Sequence, residues 1–338
     1  HFVDNDVSSA GIIAVGQSSQ IVNFATMVTL GFSNAGQVLL SQALGAGKRK
    51  EMNSIMGTLF SLVIMLSLVL SGVILIGREF ILDIMNIPPD SKTMSRQYMT
   101  ICAAGLVFTA GYNMVSAVLR GMGDAKRPFL FIAIASVTNL LLDLLFTGCL
   151  GWRVVGAALA TVIGQAVSFV FSICYLAKRK EKFGFDFKIQ SFKINLNYAK
   201  MIFSIGAPMA IQSGFINLSM LFVNSMINGI DSVESATFSA GIKIDDIINK
   251  ISQGIHHAAM PMISQNIGAD KPERAKRVVF TAWIFSGIWT VIFILLYIFF
   301  DKFFAFTDFS VKNAHCNYFC TFNTFRMRMS YFSDSFNE

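Results

Sequence analysis

Long apolar stretches alternate with short polar segments over most of the chain. A helix needs about 20 mostly apolar residues to cross the hydrocarbon core of a bilayer. Eight stretches meet this requirement, at 11–43, 54–76, 97–119, 128–150, 154–177, 201–228, 235–264 and 278–300. The pattern therefore predicts an all-α, polytopic membrane protein.

The distribution of Lys and Arg predicts which side of the membrane each loop faces. The loops at 44–53, 120–127, 178–200 and 265–277 together hold 17 of these residues, whereas the intervening loops hold four. Loops rich in basic residues stay in the cytoplasm. We therefore expect a multi-pass protein of the plasma membrane, with these four loops cytoplasmic and residue 1 outside.

Composition narrows the class of protein. Only 14% of the 338 residues are charged, whereas soluble globular domains carry about 25%; this excludes a soluble enzyme, a disordered chain and a disulfide-stabilised domain. The net charge of +7 is spread over separate loops, so no nucleic-acid partner is expected. Cys102, Cys149 and Cys174 lie in apolar stretches and are predicted to be buried. Neither a cofactor nor a metal site is expected.

An internal repeat defines the organisation of the chain. Residues 41–48 read SQALGAGK and residues 264–271 read SQNIGADK, an offset of 223 residues. Gly31 and Gly254 stand ten residues before the two Ser-Gln pairs, at the same offset. The repeat unit is six helices long, so both copies cross the membrane in the same direction. Parallel repeats of this kind build transporters with two halves around a central site.

The repeat predicts two lobes, of which the second is incomplete. Residues 1–177 form the first lobe, 178–200 a cytoplasmic linker and 201–309 a partial second lobe. Residues 310–338 contain no apolar stretch long enough to span a bilayer. Their composition differs from that of the preceding chain, and we interpret them as an aberrant tail produced by truncation and a shifted reading frame.

Several motifs resemble the multidrug and toxin extrusion (MATE) family. They are LRGMGDAKRP at 119–128, NLLLD at 139–143, GAALAT at 156–161 and the two SQ-x-x-GA-x-K turns. The resemblance implies a fold of twelve helices in two six-helix lobes, of which this chain holds helices two to nine. It also implies export of cationic or amphipathic drugs in exchange for H⁺ or Na⁺. The acidic residue that the family often carries on helix one is expected outside this sequence.

Asp143 lies inside the predicted span 128–150 and is the only acidic residue between Asp124 and Glu181. A charge at the bilayer centre costs about 2.5–3.5 kcal/mol, so Asp143 must face a cavity or a partner. Asn139 lies one helical turn earlier on the same face, and Thr161 and Gln165 lie one turn apart on the next helix. Oxygen atoms of these four residues are suitable ligands for Na⁺, and the Asp143 carboxylate alone suits H⁺. The resemblance implies the same ion site; the alternative is that Asp143 only anchors helix packing.

Polar residues in two later spans are candidates for the substrate cavity. Gln212 and Asn217 lie near the middle of 201–228, and Asp246 and Lys250 share one stripe of the polar span 235–264. The alternatives are that the first pair supports helix packing and the second lies on a solvated helix end. Small organic substrates, the lipid bilayer and a monomeric state are the expected interactions.

The function predicted from these features is secondary active export by alternating access, and not enzymatic catalysis. A flippase for lipid-linked saccharides with a related fold remains an alternative, as does an inactive truncated copy. A membrane enzyme lacks a clustered catalytic set in this sequence, and a receptor is not expected to carry a parallel six-helix repeat.

Overall fold

A computed structural model describes residues 5–85, 87, 89–179, 185–186, 188–228 and 232–299. These residues form helices and connecting turns without a strand. The helices are α1 (Asn5–Gly45), α2 (Arg49–Ile84), α3 (Pro89–Gly121), α4 (Lys126–Asp143), α5 (Arg153–Lys178), α6 (Leu196–Asn228), α7 (Ser232–Gly268) and α8 (Pro272–Phe299). A π-helical turn (Leu144–Cys149) extends α4, and a short 3₁₀ helix (Ile189–Phe192) precedes α6. The predicted tail, 310–338, lies outside the described residues.

Five segments of the described chain are long and apolar enough to cross a membrane. They are Arg49–Ile84, Ser91–Gly121, Lys126–Cys149, Arg153–Lys178 and Pro272–Leu295. The other three predicted spans lie in α1, α6 and α7. Large apolar side chains are exposed on several of these helices, including Leu140 and Leu141 of α4 and Leu144 of the π-helical turn. Such a face suits contact with lipid rather than water, and the chain is an all-helical, multi-pass membrane protein.

The chain divides into two compact units. The first contains residues 1–218 and 258–278, and the second contains 219–257 and 279–338. In the first unit, α3 is the central helix and packs against α1, α2 and α5, while α4 packs against α5. In the second unit, Trp289 and Phe293 of α8 pack edge to face. The lobe boundaries expected from the sequence stay a prediction.

The two copies of the repeated turn have the same backbone conformation. In both, a residue in the left-handed region ends the helix: Gly47 (φ 72°) after α1 and Asp270 (φ 55°) after α7. Both turns are also closed by the same pair of backbone hydrogen bonds, as expected for this type of helix end. The bonds are Gly47 N–H to Leu44 O and Lys48 N–H to Ala43 O in one copy, and Asp270 N–H to Ile267 O and Lys271 N–H to Asn266 O in the other.

These turns also contact each other reciprocally. A Cβ atom added to Gly45 would lie 2.0 Å from the backbone oxygen of Gln265, and one added to Gly268 would lie 2.0 Å from that of Gln42. The backbone carbonyl of Gly121 accepts hydrogen bonds from both copies: from Ser41 Oγ at 3.0 Å and from Gln265 Nε2 at 3.0 Å. The offset of 223 residues thus relates two equivalent turns that pack on one another.

The linker between α5 and α6 is attached to α2. Phe185 is buried and stacks on Phe60, with ring centroids 5.6 Å apart, and Phe192 packs against both rings. Ser61 Oγ of α2 donates to the backbone oxygen of Phe192 at 2.7 Å. The backbone approach is close at Gly57, where an added Cβ would lie 1.6 Å from the Ser191 oxygen. Apolar residues among the lysines of the linker therefore bind it to the helical bundle.

Candidate functional site

The predicted ion-coupling residues lie on two neighbouring helices. Asn139 and Asp143 occupy the last turns of α4, and Thr161 and Gln165 occupy the middle of α5. Asp143 is the final α-helical residue before the π-helical turn Leu144–Cys149. Inserted π turns are frequent at functional sites, and this one places a change of helical geometry directly after the carboxylate.

A glycine allows the two helices to approach each other at this point. A Cβ atom added to Gly164 of α5 would lie 3.0 Å from the Ala135 oxygen and 3.2 Å from Asn139 Cβ. The approach places Asn139 Nδ2 3.5 Å from Thr161 Oγ1, at the long end of hydrogen-bond distances. Thr161 Oγ1 donates its own hydrogen to the Ala157 oxygen at 2.9 Å. Its lone pairs therefore remain available on the side facing Asn139.

Two oxygen atoms at this site have no hydrogen-bond partner. They are Asp143 Oδ1 and Gln165 Oε1, which are both buried and unsatisfied within the described part of the chain. Most buried side-chain oxygens in proteins are hydrogen-bonded, because an unsatisfied one costs about 1–3 kcal/mol. Carboxylate, amide and hydroxyl oxygens are ligands for hard cations, and a carboxylate also accepts a proton. The arrangement has the chemistry for either ion.

A tyrosine that the sequence analysis did not select lies close to this carboxylate. Tyr98 of α3 is buried against Cys102, Val154 and Ala158. It is near enough to Asp143 for the two groups to interact electrostatically, and it shares a hydrogen bond with Cys102. Tyr98 lies near the polar beginning of its predicted span, after Arg96 and Gln97, and the packing of α3 against α4 and α5 brings it to the site.

The candidate substrate residues belong to two different compact units. Gln212 and Asn217 belong to the first compact unit and Lys250 to the second; the side chain of Asp246 lies outside the described residues. Asn217 Nδ2 donates to the Ser213 oxygen of its own helix at 2.8 Å, which leaves its Oδ1 free for other contacts. A substrate role for these residues stays a prediction.

Glycines around the candidate substrate residues have a packing role. A Cβ on Gly206 of α6 would lie 3.0 Å from the ring of Phe32, and one on Gly31 of α1 would lie 3.1 Å from the Ala210 nitrogen. These glycines bring α1 and α6 together. A substrate role and helix packing are the two interpretations of the polar residues in 201–228. The contact at Gly206 is an example of close packing in this helix.

The cysteine prediction was correct for one residue of three. Cys102 is buried, whereas Cys149 and Cys174 are exposed. Both exposed thiols lie on helices whose apolar surface faces outward, so an apolar sequence environment did not imply contact with protein. Within the described residues, no group of three His, Cys, Asp or Glu side chains has an arrangement that could hold a metal ion.

Comparison with known proteins identifies the family. The MatE family model matches residues 4–145 and 208–307, which include α4 and its Asn139 and Asp143. The chain belongs to the MatE family. Its MatE relatives include two from Bacillus subtilis, the probable multidrug resistance proteins YoeA and YpnP, which are 28% and 29% identical. The alignments cover 80% and 81% of this chain, and the chain spans about three fifths of the length of each relative.

A solved MatE-type transporter shares the fold. It is described as the outward-facing conformation of a multidrug resistance MATE family transporter, and it superposes with a TM-score of 0.78 at 20% identity. The match covers 88% of this chain and 68% of the solved chain. The likeness confirms the fold predicted from the MATE motifs.

Proposed function

We propose that this chain forms part of a secondary active transporter that exports cationic or amphipathic organic compounds in exchange for H⁺ or Na⁺. Membership of the MatE family and the similarity to two probable multidrug resistance proteins of Bacillus subtilis support drug export as the activity. The observation that carries the coupling mechanism is the pair of unsatisfied oxygens on Asp143 and Gln165 beside the Asn139–Thr161 contact.

The proposed mechanism follows from the charge of Asp143 and from the two unsatisfied oxygens. With neither proton nor cation bound, an ionised Asp143 would leave a charge and two unpaired oxygens between α4 and α5. H⁺ would neutralise the carboxylate, and Na⁺ would neutralise it and be coordinated by the amide and hydroxyl oxygens as well. A bound ion shifts the equilibrium between two conformations only by its difference in affinity for them. We propose that the outward-open and inward-open states differ in the spacing of α4 and α5 at Gly164, and hence in ion affinity.

The distribution of Lys and Arg at the two ends of α2 supports the membrane orientation expected from the loops. At the end of α2 that carries few basic residues, Arg96 pairs with Glu79 at 2.7 Å and Lys92 pairs with Asp83. The opposite end carries the linker, whose lysines outnumber its acidic residues. Excess positive charge thus lies on one side of the bundle, and we place that side in the cytoplasm.

Accumulation of a fluorescent cationic dye in drug-sensitive cells tests the proposal. The complete gene is expressed as the unchanged protein, as Asp143→Asn, and as Asp83→Asn, which removes a carboxylate from an exposed ion pair as a control. We expect the unchanged protein and Asp83→Asn to lower dye accumulation, and Asp143→Asn or collapse of the ion gradients to abolish the effect. Normal export by Asp143→Asn would make Asp143 a packing residue. If no dye moves under any condition, the drug-export proposal is wrong and lipid-linked saccharide flipping becomes the function to test.

A further inference from the structure

A polar cavity lies between the start of α2 and the linker. Its volume is about 480 Å³, within the range of small-molecule sites. Lys50 and Asn53 of α2 form one wall, and the linker residues Asp186, Lys188 and Lys193 form the other. Three ammonium groups and one carboxylate therefore face a single space.

The carboxylate in this cavity already accepts hydrogen bonds from neighbouring groups. Asp186 accepts hydrogen bonds from Ser191 Oγ, from Asn53 Nδ2 and from the Lys188 backbone N–H, and the Ser191 bond in particular holds the pKa of this carboxyl below its usual value. The Lys188 ammonium lies 3.8 Å from Asp186. Lys50 and Lys193 are exposed and form no ion pair with any side chain that the structure describes. The cavity thus has a surplus of positive charge for an anion.

A second, apolar groove lies further along the same face of α2. Its volume is about 330 Å³, and no polar surface lines it. Its walls are Phe60 and Ile64 of α2, with Phe192 of the linker at one end, and four residues of α5: Phe169, Val170, Ile173 and Cys174. Residues 50, 53, 57, 60 and 64 follow helical spacing, so both spaces lie along one face of α2. Ser191 and Phe192, held to that face at Gly57 and Ser61, separate the two.

We propose that these two spaces together bind one anionic glycerophospholipid of the surrounding leaflet. The lipid phosphate lies between Lys50 and Lys193, and one acyl chain occupies the groove between α2 and α5. The charged cavity lies just beyond the apolar part of α2, at the depth of lipid headgroups, and the groove lies on a membrane-spanning helix pair. Basic pockets between membrane helices recognise anionic headgroups in this way. A free phosphate would fill only the first space and a neutral lipid only the second.

Photo-crosslinking with phosphatidylglycerol tests the proposal. The purified full chain in neutral detergent receives phosphatidylglycerol with a diazirine in one acyl chain, and labelled peptides are mapped by mass spectrometry. Residues 169–174 report the groove, and residues 140–145 of α4 report general lipid contact on another apolar face. We expect groove labelling to saturate and to be displaced by unlabelled phosphatidylglycerol but not by phosphatidylcholine, whereas labelling on α4 does not saturate.

Charge reversal in the cavity provides the decisive comparison. The variant Lys50→Glu/Lys193→Glu should weaken saturable groove labelling by about tenfold or more, since each Lys near an anionic lipid contributes roughly a fivefold effect. Lys126→Glu/Lys271→Glu makes the same charge change at two exposed lysines in other turns and should leave saturable groove labelling unchanged. Lys193→Gln alone, in the linker, serves if the double variant does not fold.

Three results would overturn the proposal. One is equal displacement of the groove label by phosphatidylcholine, which would show ordinary contact with surrounding lipid. Another is displacement by glycerol phosphate as effective as that by phosphatidylglycerol, which would assign the cavity to a free phosphate compound. The third is unchanged labelling in the folded Lys50 and Lys193 variants.

Discussion

The contact between the two repeated turns, here called the junction, and the α4–α5 site are both polar, and both depend on a glycine at which two helices approach each other. They differ in whether their polar groups have hydrogen-bond partners. At the junction, Ser41 and Gln265 both donate to the Gly121 carbonyl. At the α4–α5 site, the side-chain oxygens of Asp143 and Gln165 are buried without a partner.

This contrast distinguishes the junction, where the contacts are structural, from the site at which we propose ion coupling. Satisfied polar groups in a reciprocal contact stabilise one arrangement of the chain. Unsatisfied buried groups cost free energy, and a bound ion is one of the ways in which a native protein satisfies them. Substitutions at the junction should therefore lower stability, whereas substitutions at Asp143 should change transport while leaving stability intact.

The largest expected effect is at the reciprocal glycines. In Gly45→Val or Gly268→Val, the new side chain would overlap a backbone oxygen of the opposite turn, so each change should cost about 3 kcal/mol of unfolding free energy. Because both changes separate the same two turns, the double variant should cost less than the sum of the two. Thermal unfolding of the purified protein in detergent measures this. Gly72→Val, at a helical glycine with open space around it, is the control. An equal loss of stability in this control would show that the effect does not come from the contact between the two turns.

The next effect concerns the shared carbonyl of Gly121. Ser41→Ala and Gln265→Ala should each cost about 1 kcal/mol, since the other donor still satisfies the oxygen. The double variant leaves that buried oxygen without either donor and should cost about 3 kcal/mol, more than the sum of the two single changes. The same unfolding measurement applies. If the loss in the double variant equals the sum of the two single losses, the two copies do not share this acceptor.

The smallest effect distinguishes the two copies of the turn. Gly47 and Asp270 are both left-handed, a conformation that costs a residue other than glycine about 1 kcal/mol. Asp270→Gly should therefore raise the unfolding free energy by up to about 1 kcal/mol, whereas Gly47→Val should lower it by about 1–2 kcal/mol. The change in unfolding free energy for Gly47→Asp should lie between the changes for these two variants. Equal responses to Asp270→Gly and Gly47→Val would contradict the equivalence of the turns.

The sequence was sufficient to predict the features that depend on local spacing. Five of the eight predicted spans coincide with apolar helices, because length and hydropathy determine what crosses a bilayer. The repeated Ser-Gln-Gly-Ala motif predicted two equivalent turns, and a four-residue spacing placed Asn139 and Asp143 on one helical face. The MATE motifs gave the family.

Features that depend on contacts between distant segments were not predictable. The proximity of Tyr98 to Asp143 needs the packing of α3 on α5, and the Asn139–Thr161 contact needs the close approach at Gly164. The π-helical turn after Asp143 has no distinct residue pattern. The linker appeared polar because of its lysines, although Phe185 and Phe192 attach it to α2. Coupling ion, substrate and oligomeric state stay predictions.

Transport by the complete purified protein in liposomes tests the central claim most directly, that Asp143 couples an ion to export. Dye movement is followed while a H⁺ or Na⁺ gradient is imposed, for the unchanged protein, Asp143→Asn and the Asp83→Asn control, after equal thermal stability has been established. We expect gradient-driven dye transport by the unchanged protein and by Asp83→Asn, and its loss in an equally stable Asp143→Asn. Gradient-driven transport at the unchanged rate by Asp143→Asn would show that Asp143 does not couple the ion to export.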